Sequence, residues 1–203
     1  MLGALSAVFV LASPWVLYWT LSHAQVGVAA LALIGWAIVR AIPIVISAQR
    51  AQRLVALRLS AIAIGFAVLG WASNNGTWLL ILPSATQATF GGTFLRSLAT
   101  TPMIEHFARM VKPALSPGEL AHCRAWTAVW GWYLIALAAL GLVLARWASL
   151  AVWTAYVGVV SYALVGVLFA IEYVVRKLRF RDYGKNPVDW LLRKLFPPPP
   201  ALT

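Results

Sequence analysis

The sequence predicts an all-α integral membrane protein, a bundle of six transmembrane helices with both termini on the cytoplasmic side. Three observations lead there. Of 203 residues, 62% are hydrophobic and 10% charged, and the apolar runs reach the roughly 20 residues that a helix needs to cross a bilayer. Lys and Arg gather in alternate gaps between those runs, and tryptophans mark the opposite ends.

The runs are 2–21, 26–47, 54–73, 77–98, 126–147 and 151–175. In lipid each must be helical, because only a helix satisfies its own backbone hydrogen bonds within one segment. The region after the second run carries Arg50, Arg53 and Arg58, the loop 99–125 with its flanks carries Arg96, Arg109, Lys112 and Arg124, and the tail 176–203 carries seven cations. Together these hold 14 of the 16 cations. With six spans all three regions fall on one side, which the positive-inside tendency makes cytoplasmic. Trp19, Trp71, Trp78, Trp147 and Trp153 lie beside the cation-poor gaps and would form an outer aromatic belt. Arg40 lies inside the second run, where snorkelling to the inner interface accounts for it. Ser22 to Ala24 resemble a small-x-small cleavage site, but the long run before them lacks a basic start and ends in aromatics, so an uncleaved first helix is expected.

A net charge of +11 could suggest nucleic acid, yet the cations sit in the gaps of an oily chain rather than on a polar fold, so a nucleic-acid partner is not expected. Cys123 is the single cysteine, which excludes an intrachain disulfide and any CxxC site. No Walker, Rossmann, nucleophile-elbow or zincin motif occurs, and no cofactor or metal is expected.

The long polar interruption, Arg96 to Arg124, holds two of the five acids and two of the three histidines. Within it, Met103, Ile104, Phe107, Met110 and Val111 oppose Glu105, His106, Arg109 and Lys112, which predicts a short amphipathic helix lying on the bilayer. Pro113 ends it. Ser116-Pro117-Gly118-Glu119 then reads as an N-cap, a first-turn proline and a capping-box glutamate, so the fifth helix starts well before lipid. Glu119, His122, Cys123 and Trp126 share a face of that extension. The acids and histidines invite an acid/base or metal proposal, but Glu105 and His106 are adjacent and so point about 100° apart on a helix. Ion-paired surface charges are the expected reading, with no catalytic residue assigned.

In the tail, Asn186, Pro187 and Asp189 repeat the capping device. Val188, Leu191, Leu192, Leu195 and Phe196 recur opposite Asp189, Arg193 and Lys194, which predicts a second interfacial helix, stopped by Pro197 to Pro200. Arg176, Lys177, Arg179, Arg181, Lys185, Arg193 and Lys194 are expected to contact anionic headgroups. Glu172 is the acid nearest the bilayer and is expected to pair with Arg176, one turn on. The fourth run carries Ser84, Thr86, Gln87, Thr89, Thr93 and Ser97 beside Gly91 and Gly92, a pattern that favours close helix packing over a permeation path.

The landmarks FGGTFLRSL (90–98), PMIEHFAR (102–109), KPALSPGEL before CRAWTAVW (123–130), and LFAIEYVVRK (168–177) give the block from Pro83 to Arg179 a resemblance. It resembles a family of small bacterial predicted membrane proteins often found among aryl-polyene and related pigment-lipid biosynthesis genes. The resemblance covers about half the chain and implies a multi-pass protein of the bacterial inner membrane without an assigned activity. The family usually shows Arg after the loop glutamate where this chain has His106, so the resemblance points to Glu105, Arg109, Arg124 and Glu172 as binding or docking residues. The expected function is a non-enzymatic accessory or scaffold in making or moving an acyl-type lipid, with a protein partner at the cytoplasmic face. An intramembrane acyl- or lipid-modifying enzyme using Glu105 or His122, a translocator, and a structural subunit of a larger complex remain alternatives.

Overall fold

The computed structural model describes residues 14–47, 50–184 and 187–197, and within these the side chains of Trp36, Arg40 to Ala56, Arg58 and Leu59 are not described. The first twelve residues of the first expected span, the snorkelling of Arg40, the Lys185 headgroup contact, the Asn186 cap and Pro198 to Pro200 therefore lie outside the described residues.

The described residues are mostly helical, with no strand among them. In chain order they form α1 (14–23), α2 (Val26–Ser47), α3 (Arg50–Ala72), α4 (Thr77–Ser97), α5 (Met103–Val111), α6 (Pro117–Trp147), α7 (Leu150–Phe180) and α8 (Pro187–Leu195). Two of them, α6 and α7, each 31 residues, are long and apolar enough to cross a membrane. At 1.5 Å per residue each is about 46 Å long, so either could pass through hydrocarbon and still extend beyond it. Val26–Val39 and Ser60–Ala72 are shorter apolar helical stretches.

The chain divides into two compact units: residues 1–92 with 133–161, and residues 93–132 with 162–203. The first unit is built on the α2/α3 hairpin and a core of Leu17, Ala29, Ala30, Leu33, Ala67, Leu79, Ala145, Trp153, Tyr156 and Val157. Alanines at the contacts let helices approach closely. The α3/α4 turn places Asn74 in the left-handed region at φ 48°, and Asn75 Oδ1 accepts the Thr77 N–H at 3.0 Å to start α4. Ser149 caps α7, accepting the Val152 N–H at 3.3 Å.

A single π-turn, Tyr156–Val160, interrupts α7, and the Tyr156 hydroxyl donates to Leu137 O at 2.7 Å. Beside it, Gly141 is needed for close approach: a Cβ there would sit 2.3 Å from Ser84 Oγ and 3.4 Å from the Tyr156 ring.

One member of the expected aromatic belt is placed differently. Trp153 is fully buried in the core of the first unit, because it shares one face of α7 with the buried Tyr156 and Val157, while Ala151 and Val152 are exposed. Trp19, Trp71 and Trp147 are exposed, and Trp78 is half-buried.

Candidate functional site

The second unit contains all five acids of the chain. Four of them, Glu105, Glu119, Glu172 and Asp189, each make an ion pair with a Lys or Arg of the same unit.

Helix α5 begins immediately after Pro102 and is clamped at its start by two hydroxyls. Ser97 Oγ accepts the Met103 N–H at 3.0 Å and Thr127 Oγ1 accepts the Ile104 N–H at 3.1 Å, which satisfies two amides that every helix leaves unpaired at its first turn. Arg124 adds a third tie, donating to Leu98 O at 3.0 Å. Ile104 turns inward and is buried, whereas Phe107, Met110 and Val111 are 51%, 74% and 89% exposed. A nine-residue helix is thus held rigidly with an apolar surface left open. Glu105 accepts from Arg109 Nε at 2.8 Å, and Arg109 also donates to Pro113 O at 3.1 Å, which closes the far end of α5.

The expected capping box at the start of α6 is present and reciprocal. The Ser116 N–H donates to Glu119 Oε2 at 2.7 Å and the Glu119 N–H to Ser116 Oγ at 3.3 Å. Lys112 Nζ, seven residues back, lies 2.7 Å from Glu119 Oε1. That ammonium and the Ser116 backbone N–H hold the Glu119 carboxyl down at about 2, and Glu119 raises the Lys112 ammonium in turn. Both groups precede the apolar stretch of α6 that begins at Trp126.

His106 is exposed. His122 is buried, with its ring edge-on to Phe180 at 5.3 Å and tilted against Trp126 at 5.9 Å, and its Nε2 has no hydrogen-bond partner among the described residues. Cys123 beside it is buried and free. The two histidines of the loop are therefore not brought together. Among the described residues no cluster of three or more His, Cys, Asp or Glu side chains forms.

Glu172 pairs with Arg176 as expected and has a second partner that the sequence does not signal. Its carboxylate, 4% exposed, accepts from Trp130 Nε1 at 2.9 Å while the Arg176 guanidinium holds the other oxygen. The indole is buried as well, between Phe94 at 6.4 Å and Phe169 at 5.3 Å. A buried carboxylate with a neutral donor on one side and a cation on the other has its charge satisfied in place.

No family model, curated protein or solved structure matches the chain.

The tail corrects the sequence expectation at one residue. Asp189, expected on the polar outer face of α8, is fully buried. It accepts from the Tyr173 hydroxyl at 2.5 Å and from the Gly184 N–H, and Lys177 Nζ lies 3.0 Å away. Burial pushes its carboxyl up, but the hydrogen bonds from Tyr173, Lys177 and Gly184 outweigh that and hold it below the usual range. A Cβ at Gly184 would sit 2.9 Å from Asp189 Oδ2, so a side chain there would shift the carboxylate within its bonds. Of the apolar face assigned to the bilayer surface, Leu192 is buried beside Asp189, whereas Val188, Leu191 and Leu195 are 50%, 49% and 61% exposed.

The cations expected to meet headgroups thus divide. Arg176 and Lys177 are neutralised by Glu172 and Asp189. Arg179 packs over Phe180, Arg181 over Phe196, and Lys194 over the Trp190 ring, while Arg193 donates to Gly184 O at 2.9 Å. These contacts leave four positive charges without an acid partner among the described ion pairs.

The polar stripe of α4 turns onto its own backbone: Thr86 Oγ1 donates to Leu82 O at 3.0 Å, Thr89 Oγ1 to Ala85 O at 2.8 Å and Ser97 Oγ to Phe94 O at 2.6 Å.

Proposed function

We propose that this chain is a six-span protein of the bacterial inner membrane with both termini cytoplasmic, acting without catalysis as an accessory in the synthesis or transport of an acyl-type lipid. The cation distribution along the chain supports the topology. The resemblance of the block from Pro83 to Arg179 supports the lipid class.

The observation that carries the non-enzymatic reading is the commitment of Glu105, Glu119 and Glu172 to ion pairs and structural hydrogen bonds within one unit. A general base must be free to take a proton at working pH, and a carboxyl held at about 2, as Glu119 is, does not do so near neutrality. What the same unit offers outward is a clamped helix, α5, with Phe107, Met110 and Val111 open. In this reading α5 is the docking surface for a soluble biosynthetic partner at the cytoplasmic face. Glu105, Arg109 and Arg124 hold it in the docking geometry and present its charge.

The test is the double variant Arg109→Ala/Arg124→Ala in the native membrane. Loss of partner co-purification or of lipid product, with insertion unchanged, is expected. Unchanged product would sink the reading, and loss of product in Glu105→Gln with partner binding intact would favour an enzyme.

A further inference from the structure

The geometry points to helix α8 as a membrane-surface foot that binds anionic phospholipid, with buried Asp189 setting which face of the helix meets the bilayer. This rests on the reading of the chain as membrane-embedded.

Helical spacing places Asp189, Leu192 and Arg193 on one side of α8 and Val188, Leu191 and Leu195 on the opposite arc. The contacts of Asp189 come from Tyr173 and Lys177 on α7 and from Gly184 in the connecting loop, so three directions fix the rotation of α8 about its axis. Arg181 and Tyr183 secure its far end, donating to Pro197 O at 3.3 Å and Phe196 O at 2.7 Å. A nine-residue helix that is pinned at both ends cannot roll its apolar arc inward. That arc stays outside, next to Trp190 at 64% exposure.

Charge selects the occupant. After internal pairing α8 and the loop before it carry Arg181, Arg193 and Lys194 with no acid partner among the described ion pairs, against one exposed acid, Asp182. Open apolar side chains and an exposed indole on α8, with surplus cations on it and in the loop before it, fit an acyl-chain boundary beneath anionic headgroups. A soluble acidic protein would match the charge but not the open aliphatic arc.

The test uses the full chain with Cys123→Ala, carrying a polarity-sensitive fluorophore at Leu191→Cys or at Arg193→Cys, in nanodiscs of phosphatidylcholine alone or in equal parts with phosphatidylglycerol. Nitroxide-bearing acyl chains are expected to quench the label at position 191 strongly and the label at 193 weakly, and the contrast is expected to grow with the anionic lipid. With the 191 label, Arg181→Gln/Lys194→Gln is expected to lower the ratio of docked to undocked helix about 30-fold, from about fivefold per cation at an anionic surface. Asp189→Asn is expected to erase the contrast between 191 and 193.

Equal quenching at the two positions, indifference to phosphatidylglycerol, or burial of the 191 label only on adding a soluble protein would each overturn the inference. Extraction at alkaline pH separates the two levels. A chain that leaves the membrane refutes the embedded reading, whereas an inserted chain with flat quenching refutes only the foot.

Discussion

Replacing Glu172 by alanine is expected to destabilise the protein by about 2–3 kcal/mol, which follows from what the carboxylate satisfies. It accepts the Trp130 indole N–H at 2.9 Å in a site where both groups are 4% exposed, so its removal orphans a buried donor, at about 1–3 kcal/mol. Arg176 does not add the full cost of an abandoned buried cation, because its side chain is 41% exposed and can turn to water. A small void left by the missing side chain supplies the rest. At roughly 2–4 °C per kcal/mol for a chain of this size, the midpoint should fall by about 4–12 °C. Glu172→Gln keeps an acceptor for the indole and loses only the charge, so about 1 kcal/mol is expected. Trp130→Phe removes the donor and part of the ring packed between Phe94 and Phe169, and should fall between the two. The assay is the fraction of detergent-purified protein that stays monodisperse after heating, read across the three variants. An intact Glu172→Ala protein, or a Glu172→Gln protein as damaged as Glu172→Ala, would refute the brace. The second outcome would mean that the charge itself, and not the hydrogen bond, is what the fold requires.

Glu119 is held at about 2 against an ordinary value of 4.5, so its contribution is present above pH 4.5 and is lost as pH falls toward 2. Its partner Lys112 is half exposed, so that contribution is screened and small, and an acid titration of thermal stability should have a shallower slope in this window in Glu119→Gln. Asp189→Asn removes the ion pair to Lys177, and the tail should become several-fold more sensitive to limited trypsin cleavage at Arg193 and Lys194, seen by mass spectrometry. Gly141→Ala brings a methyl against Ser84 Oγ and is expected to cost about 1–3 kcal/mol in heat-stability assays. Ser84→Ala alone should be neutral or stabilising, since Ser84 Oγ has no partner among the described residues, and it should rescue part of the Gly141→Ala loss.

The helices were legible because their ends are written locally. The run 26–47 is α2, the start at Thr77 follows an Asn-Gly turn, and the Ser116/Glu119 box fixes the start of α6 within four residues of sequence. The Glu172–Arg176 and Glu105–Arg109 pairs were legible for the same reason, each being one helical turn long. The partners that define the site lie further apart. Trp130 meets Glu172 across 42 residues, Thr127 caps α5 across 23, and Asp189 finds Tyr173 across 16. Nothing local in the sequence announces these pairings.

The misplacement of Asp189 has a more general cause. Reading the inside of a helix from its apolar face works when apolar residues are scarce and polar ones plentiful, since burial of the former then discriminates. In a chain that is 62% hydrophobic the contrast reverses, and an apolar side chain can point outward at little cost if lipid is there to receive it. The five acids are then the scarce residues, and a buried carboxylate must have its partners built around it. Leu191 and Leu195 could face either way, but Asp189, once buried, could rest only where Tyr173, Lys177 and the Gly184 N–H converge. The same holds for Glu172, whose position is set by an indole on one helix and a guanidinium on its own. In such a chain the orientation of a helix is decided by its rarest polar residue, and that is the residue from which its exposed face should be inferred.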